Sequence, residues 1–346
     1  MPALFEQGFF VRVPAWHGLG VVLDHYPGRE EAMQLAGHDW DVVEIGIVGQ
    51  YPNEVLEAAG RATNPAGSGF AVKLPDWKGH VRSDNGSLLH VSRETYERIP
   101  NSVAYDVAEL LFDQGFQYET GITVDGGKTC AITLLLDEPI TITGDDSVTL
   151  PFGCLSWAHD GSASLKVRSG TIRQVCANTI AASEAEGKAR GTDFTFRHTK
   201  NVMARIEDAK QAIQGVREGL GIYREIAEEL AATPVTPEQR DWFVSTIVGD
   251  RDGKVSQGEN VTQRVKDNIE RERIKVLSLF GQADPTKRTI PQSHELTAYG
   301  LMLAGGEYFD HLRNFKTPDS YVKRTLLTQS SEKANLRKTI AEAVAA

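Results

Sequence analysis

The spacing of apolar residues changes at about residue 200, and the change separates two kinds of structure. Before it, short apolar runs are separated by Gly, Asp and Ser turns, as in antiparallel strands. After it, apolar residues recur in steps of three and four, as on one helix face. The 346 residues also exceed the usual size of one domain. We predict an α+β fold: a mainly antiparallel β-meander with flanking helices in residues 1–200, then a mostly helical domain in residues 201–346.

Local patterns predict the elements of the first part. The segment 1–80 is rich in Gly and Pro, which predicts loops around a strand at 40–48. A helix is expected at 103–112. Residues 118–124 and 129–136 flank Asp125-Gly126-Gly127, which suits a hairpin turn with positive φ. Further strands are predicted at 147–152, 154–158, 164–167 and 171–176.

A heptad-like seam opens the helical part and ends at Pro234. Its residues are Ile206, Ala209, Ile213, Val216, Leu220, Tyr223, Ala227 and Leu230. Packing within the chain is the favoured interpretation, and self-association is the alternative, because three to four heptads barely suffice for a coiled coil. Thr236-Pro237-Glu238 predicts the start of another helix. More helices are expected at 260–280, 293–315 and 326–344.

Composition and the absence of targeting patterns exclude several classes of protein. No apolar run is long enough to span a membrane, and the N-terminus lacks a signal-peptide pattern. Cys130, Cys154 and Cys176 match neither a disulfide framework nor a CxxC metal site. A cytoplasmic protein without a membrane partner is therefore expected. The formal charge of −10 argues against a generally basic nucleic-acid protein, so any such site must be local.

One segment is locally basic: positions 162–205 hold eight basic side chains against three acidic ones. The basic residues are Lys166, Arg168, Arg173, Lys188, Arg190, Arg197, Lys200 and Arg205. The strand period places Lys166 and Arg168 on one face, with Arg173 on the next strand. Asn178 or Thr179 is expected to cap a short helix running to about Gly187, whose free N–H groups favour phosphate.

These residues also have a purely structural interpretation. A capped helix beside a solvated strand pair explains the same pattern and is slightly favoured. Arg197-His198-Thr199-Lys200 is interpreted first as the polar entry to the long helix, and only second as a nucleic-acid contact.

Catalytic candidates are weaker. His159 with Asp160 would suit a general base oriented by a carboxylate, but the following Asp-Gly step favours a tight turn between strands. A thiol nucleophile at Cys154 or Cys176 is disfavoured against packing. Clustered carboxylates for a metal would have to come from Asp84, Glu119 and Asp160, and their spacing does not demonstrate convergence, so no metal site is predicted.

Three other motifs are assigned structural roles. Gly126-Gly127-Lys128-Thr129 precedes a strand instead of the helix that a phosphate loop needs. The glycine of Asp250-Arg251-Asp252-Gly253-Lys254 is misplaced for a calcium loop, so we predict a surface turn. Trp16-His17-Gly18 is interpreted as an aromatic anchor because it has no metal partner at helical spacing.

Several motifs together resemble the phage/plasmid-like family that carries domain of unknown function 932, in both order and spacing. They are Trp16-His17-Gly18-Leu19-Gly20, Arg82-Ser83-Asp84, Tyr118-Glu119-Thr120, His159-Asp160-Gly161-Ser162, Arg173-Gln174-Val175-Cys176-Ala177-Asn178-Thr179, Leu296-Thr297-Ala298-Tyr299-Gly300 and Glu307-Tyr308-Phe309-Asp310-His311. The chain departs from the family at Leu303-Ala304-Gly305-Gly306, where an Asn-containing segment is usual. The family name carries no reaction. Its β-meander followed by a helix is similar, at the level of fold, to single-strand annealing recombinases.

The resemblance and the basic segment lead us to expect a phage-type protein that binds single-stranded DNA and anneals it in recombination or replication, without a cofactor. The expected partners are single-stranded DNA, an exonuclease and further copies of the chain. One alternative is a metal-dependent enzyme acting on nucleic acid through His159, Asp160 and either Asp84 or Glu119. Another is an interaction protein whose acidic surface binds a host factor.

Overall fold

A computed structural model of the chain describes residues 5–11, 20–60, 70–173, 178–181, 194–201, 204, 209–255, 257–258, 261–283, 289–313 and 335–345. The strands are β1 Phe5–Val11, β2 Val21–Leu23, β3 Val42–Tyr51, β4 Phe70–Arg82, β5 Leu88–Arg93, β6 Phe116–Val124, β7 Thr129–Leu136, β8 Ile140–Ile142, β9 Asp145–Ala158, β10 Leu165–Arg173, β11 Asn178–Ala181 and β12 Phe194–Phe196. The α-helices are α1 Arg29–Ala36, α2 Asn53–Ala58, α3 Asn101–Glu109, α4 Ala209–Ala232, α5 Pro237–Ile247, α6 Gln263–Leu277, α7 Ala298–Glu307 and α8 Leu336–Ala345.

The largest element is a nine-stranded sheet with the order β11-β10-β9-β7-β6-β1-β2, to which β12 pairs on β10 and β8 on β9. The strands pair antiparallel except for β1 with β2. The predicted α+β class and its antiparallel meander are therefore confirmed. The strands expected at 147–152 and 154–158 form the single strand β9, because β7 and β10 pair with it on both sides.

The predicted hairpin is present between β6 and β7. Asp125, Gly126 and Gly127 all have positive φ, at 57°, 66° and 87°. Two of the three turn residues are glycines, which adopt this conformation without a steric cost. Asp is one of the few other residues that tolerate it.

The expectation of loops in the segment 1–80 was wrong for a large part of it. Strands β3, β4 and β5 form a separate three-stranded antiparallel sheet. The strand expected at 40–48 is present as β3, whereas β4 and β5 were not predicted; in β4, Pro75 interrupts the apolar alternation. A strand tolerates such a residue at a bulge, and the register does shift between Gly46 and Val48.

Two hydrophobic clusters make up most of the interior. The first lies between one face of the large sheet and the helices α1 and α3, and it includes Phe9, Tyr105, Tyr118 and Trp157. The second is formed mainly by helices α4, α5, α7 and α8. Ile142 of β8 is buried in this second cluster, so a strand from the predicted β-rich part contributes to the helical core.

Helix α4 contains the described part of the heptad-like seam. Leu220 is buried in the first cluster, whereas Tyr223 and Ala227 are buried in the second. Along this half of the helix the seam packs within the chain, as the favoured interpretation predicted. Within the described ranges, every helix is too short or too polar to cross a lipid bilayer.

The remaining helices follow the predictions with shifted ends. Helix α5 begins at Pro237, as predicted, behind a capping box made by Thr236 and Gln239. The helix expected at 293–315 divides into a 3-10 turn, α7 and a π-helical turn, Tyr308–Leu312. The domain boundary at residue 200 remains a prediction.

Candidate nucleic-acid interface

Strand β10 presents two basic side chains from one face. Lys166 and Arg168 are half-buried and alternate with Leu165 and Val167, which are buried in the first cluster. The prediction that both basic residues lie on one face of a strand is confirmed. That face is the one turned away from helices α1 and α3, since alternate residues of a strand point to opposite sides.

The short strand β12 continues this surface. Lys166 is paired in register with Thr195 of β12, and the next residue, Phe196, is buried. Thr195 is exposed, and Arg197, which is also exposed, follows Phe196 directly after the end of β12. Lys200 is exposed further along the same segment. We call Lys166, Arg168, Arg197 and Lys200 the basic strip.

His198 fixes the position of this segment. Its Nδ1 lies 2.9 Å from the carbonyl oxygen of Glu97, and its Nε2 lies 3.2 Å from that of Ala163. The imidazole also stacks on Tyr96, with ring centroids 4.7 Å apart and an interplanar angle of 15°. Burial lowers the pKa of His198, although the two carbonyl oxygens act in the opposite direction. The neutral ring donates to one carbonyl and holds Arg197 and Lys200 beside the start of β10.

The expected helix start at Asn178 and Thr179 was wrong. Both residues belong to strand β11, where Asn178 is paired with Arg173 and Thr179 with Ile172 of β10. Sheet pairing uses the backbone groups that a helix start would leave free for phosphate. Residues 182–187, Lys188, Arg190 and Arg205 lie outside the described residues.

His159 lies in a buried polar network and is 3% exposed. Its Nε2 is 2.8 Å from Oδ1 of Asn101, which also accepts a hydrogen bond of 2.9 Å from Nε1 of Trp157. The Asn101 amide donates to the carbonyl oxygens of His38 and Trp40. Burial, with smaller contributions from neighbouring histidines and from Arg82, lowers the pKa of His159 to about 3. The ring is therefore neutral, and its hydrogen bond to Asn101 connects the end of strand β9 to the start of helix α3.

Asp160 and Gly161 form a tight turn, which was the structural alternative to a catalytic role for this motif. Oδ1 of Asp160 accepts a hydrogen bond of 2.9 Å from the backbone N–H of Ser162, and Gly161 has a φ of 76°. This turn joins β9 to β10. A general base at His159 would need access to a substrate proton, which its burial does not provide.

Two of the three carboxylates considered for a metal, Asp84 and Asp160, have other roles. Asp84 accepts hydrogen bonds of 3.0 and 2.7 Å from Arg82, whose third bond goes to Glu6. The guanidinium holds the pKa of the Asp84 carboxyl below its usual value. In the part of the chain that the structure describes, no group of three or more His, Cys, Asp or Glu residues is arranged to hold a metal ion.

The cysteine interpretation also gains no support from the geometry. Cys154 is buried with Leu135, Leu150 and Phe152 on the sheet face opposite Trp157. Strand alternation therefore points Cys154 away from the His159 network. Cys176 and Trp16-His17-Gly18 lie outside the described residues.

Sequence reasoning missed the two residues that organise the surroundings of the candidate site, Asn101 and Tyr96. Asn101 connects residues 56 to 63 positions away along the chain, and Tyr96 stacks on a residue more than 100 positions away. A polar residue at the start of an apolar helix was the visible signal for Asn101. The sequence contains no comparable signal for Tyr96.

A family model described as Domain of unknown function (DUF932) matches residues 88–335. No curated protein and no solved structure matches the chain. The matched segment includes β5, the meander from β6 to β10, and the helices through α7. Because the match covers more than half of the chain, this protein belongs to the DUF932 family.

Proposed function

We propose that this protein is a phage-type single-stranded DNA-binding protein that contacts the phosphate backbone through the basic strip. The observation that carries the proposal is that Lys166 and Arg168 share one side of β10 and that the exposed Arg197 directly follows β12, the strand paired with β10. Lys200 follows at the end of the same segment. The formal charge of the whole chain is −10, so the strip is a local exception on an acidic protein.

The chemistry of such a strip suits a flexible polyanion. Adjacent strands are about 4.8 Å apart and alternate residues of one strand about 7 Å apart, which is comparable to the spacing of phosphates in an extended single strand. Each phosphate that a Lys or Arg neutralises releases counterions, which favours binding at low salt. The stacked rings of Tyr96 and His198 adjoin Arg197 and offer an aromatic neighbour for a base.

The proposal extends to annealing during recombination or replication, in a host cytoplasm, with an exonuclease and further copies of the chain as partners. The support for this part is the antiparallel meander followed by a long helix, together with the resemblance to the phage/plasmid-like family. Arg173 was expected on the next strand but lies in β10 itself, an odd number of residues beyond Arg168, so its place in the strand does not add it to the basic strip.

Fluorescence anisotropy with a labelled oligonucleotide tests the proposal. Replacing both Arg197 and Lys200 with Ala should weaken binding and reduce the slope of log K against log salt by about 1 to 2, because up to two phosphate contacts are lost. The matched control is Arg264→Ala, which removes an exposed positive charge from helix α6. The control should leave both affinity and slope unchanged.

Two outcomes contradict the proposal. One is the absence of binding by the unaltered protein at low salt. The other is an equal loss of affinity in the Arg264→Ala control, which would indicate a general charge effect. Release of oligonucleotide fragments on addition of Mg²⁺ would instead support the enzyme alternative.

A further inference from the structure

A cluster of aromatic rings joins the three-stranded sheet to the large sheet. Tyr96, which follows β5, is surrounded by three imidazoles. The centroid of its ring lies 5.2 Å from that of His80, 5.4 Å from that of His90 and 4.7 Å from that of His198. His80 of β4 and His90 of β5 are paired across the three-stranded sheet, with their rings stacked 6.0 Å apart. His198 follows β12, which pairs with β10 of the large sheet. We call these four residues the histidine junction.

The turn between β9 and β10 closes on the same cluster. A Cβ built at Gly161 would lie 3.0 Å from Nε2 of His90, so the turn approaches this ring too closely for a side chain. Just beyond the turn, the carbonyl oxygen of Ala163 lies 3.2 Å from Nε2 of His198, whose Nδ1 faces the carbonyl oxygen of Glu97. The ring of His198 thus connects three parts of the chain: the loop after β5, the turn before β10 and its own segment after β12.

The segment 197–200 depends on His198 for its position. The other three residues of the segment are exposed, whereas His198 is half-buried against Tyr96. Strand β12 itself is three residues long and ends at Phe196. A segment with so little buried surface opens at a lower free energy than the core does. Loss of the His198 contacts should therefore release this segment before the sheets separate.

His80 is held in its neutral form by its hydrogen bonds. The Ser92 hydroxyl donates its proton to the carbonyl oxygen of Arg93. The 2.8 Å contact between Oγ of Ser92 and Nε2 of His80 therefore requires Nε2 to donate. Nδ1 of His80 is buried and has no hydrogen-bond partner among the described residues. A proton added to Nδ1 would place a charged donor at a buried position without an acceptor, which is costly.

The charges around the junction oppose a second positive charge. The described charged and titratable groups that face it come from every surrounding element: Glu44 of β3, Lys78 of β4, Arg98 of the loop after β5, His159 after β9, Asp160 of the turn, and Arg197 and Lys200 beside His198. Positive groups outnumber carboxylates in this set. Both carboxylates already accept hydrogen bonds, Glu44 from Lys78 at 2.9 Å and Asp160 from the backbone N–H of Ser162. An imidazolium formed in the junction is therefore repelled more than it is paired.

The closed junction resists protonation. Burial lowers the pKa of His80 to about 4 and also lowers the pKa of His198. An imidazole released into water has an ordinary pKa of about 6.5. The open form of the junction therefore binds more protons than the closed form, so acidification below about pH 6.5 shifts the equilibrium toward the open form.

We propose that the histidine junction is a pH-sensitive switch: protonation of its imidazoles releases the segment 197–200 from Tyr96 and from the turn between β9 and β10, while the two hydrophobic clusters stay folded. The switch goes beyond the proposed function and does not depend on it. Only its consequence for DNA rests on the proposed function: opening moves the exposed charges of Arg197 and Lys200 away from β10, which weakens binding in acid.

Hydrogen–deuterium exchange read by mass spectrometry, with rates corrected for intrinsic exchange, tests the switch from about pH 7.5 to about pH 5.5. In the unaltered chain, the protection of the segment 194–201 should fall about fivefold over this range. The reason is that a pKa difference of about one unit between the two forms changes the opening equilibrium by up to about tenfold. Helix α7, which is buried along nearly its whole length, should keep its protection.

Two variants separate protonation of His198 from other effects of acid. His198→Phe keeps a ring against Tyr96 that cannot be protonated, so the segment should stay protected at both ends of the range. His25→Gln is the matched control, because it removes a titrating imidazole that lies exposed between Asp24 and Glu31. The control should show the same fall in protection as the unaltered chain.

Protonation of the His198 ring, followed by NMR in the unaltered chain, is a second measurement that does not depend on the folding of a variant. Its midpoint should coincide with the midpoint of the loss of protection, and different midpoints would exclude the switch. The proposal is overturned if the segment keeps its protection at the acid end of the range, if helix α7 loses protection in parallel, or if folded His198→Phe opens in acid as the unaltered chain does. A failure to bind oligonucleotide at any pH contradicts only the proposed function.

Discussion

Individual buried polar residues hold the first core together through bonds between distant parts of the chain. Nδ1 of His38 lies 2.9 Å from the Tyr105 hydroxyl, and its Nε2 lies 2.9 Å from the carbonyl oxygen of Ile122. A neutral imidazole satisfies both contacts by accepting from Tyr105 and donating to Ile122. Arg82 is buried between Glu6 and Asp84 and lies 4.5 Å from the centre of the Trp40 ring. These contacts join α1, β1, β4, β6 and α3.

Stability should fall as the solution is acidified, because burial lowers the pKa of several histidines in the folded protein, among them His38 and His159. Burial lowers the pKa of His38 to about 4 and that of His159 to about 3, whereas an unfolded histidine has a pKa of about 6.5. The unfolded state therefore binds more protons below pH 6.5, so this contribution is present above that pH and is lost as the pH falls toward the folded pKa values. Between about pH 7 and pH 5 the loss should be on the order of 3 kcal/mol for the pair.

Urea denaturation at a series of pH values measures this effect. The histidine His25, exposed between Asp24 and Glu31, has a raised pKa and acts in the opposite direction, so its replacement by Gln serves as the control for surface titration. A free energy of unfolding that is constant from about pH 7 to pH 5 would contradict the assignment of His38 and His159 as neutral buried residues.

Whole elements were predictable where one local signal was sufficient. The β6–β7 hairpin is set by Asp125-Gly126-Gly127, and the start of α5 by Thr236 and Pro237. Elements were mispredicted where pairing with a distant strand decided the outcome. Asn178 and Thr179 are residue types typical of a helix cap, but both form strand β11 because they pair with β10. Local preference is weak beside the hydrogen bonds and packing that an adjacent strand provides.

The candidate site was likewise predictable where local periodicity was sufficient, and it was missed where distant strands pair. The shared side of Lys166 and Arg168 follows from strand periodicity and was predicted. Arg197 lies near Lys166 and Arg168 because β12 pairs with β10, with Val167 opposite Phe194. No local sequence pattern predicts that pairing. The histidine junction was missed for a related reason, since its rings come from β4, β5, the loop after β5 and the end of β12, which meet only in the fold.

The capping box of α5 provides a prediction for a single helix. Oγ1 of Thr236 accepts a hydrogen bond from the backbone N–H of Gln239, and Oε1 of Gln239 accepts one from the backbone N–H of Thr236. Thr236→Ala should lower the free energy of unfolding by about 1 kcal/mol, as measured by urea denaturation. Thr262→Ala is the matched control, because Thr262 is the N-cap of α6 and makes no such side-chain bond. Equal losses in the two variants would show that the box is unimportant.

At the scale of the whole molecule, the two cores share elements. Leu220 of α4 packs in the first cluster, while Ile142 of β8 packs in the second. Across the same junction, the Tyr299 hydroxyl donates a hydrogen bond of 3.0 Å to Oδ2 of Asp145. The partly buried Ile140 contacts both clusters. A substitution that destabilises one cluster is therefore expected to destabilise the other as well.

Ile142→Ala tests this coupling. The residue is 4% exposed in the helical core, and removing three carbons from such a site typically costs about 2 to 5 kcal/mol. Since β8 is hydrogen-bonded to β9 of the large sheet, we expect calorimetry to show one unfolding transition that shifts to lower temperature as a unit. Val265→Ala, at a residue 38% exposed on α6, should leave the transition within the small range typical of surface changes. If two transitions are resolved and only one moves in Ile142→Ala, the β-rich part and the helical part unfold independently, and the shared elements do not couple them.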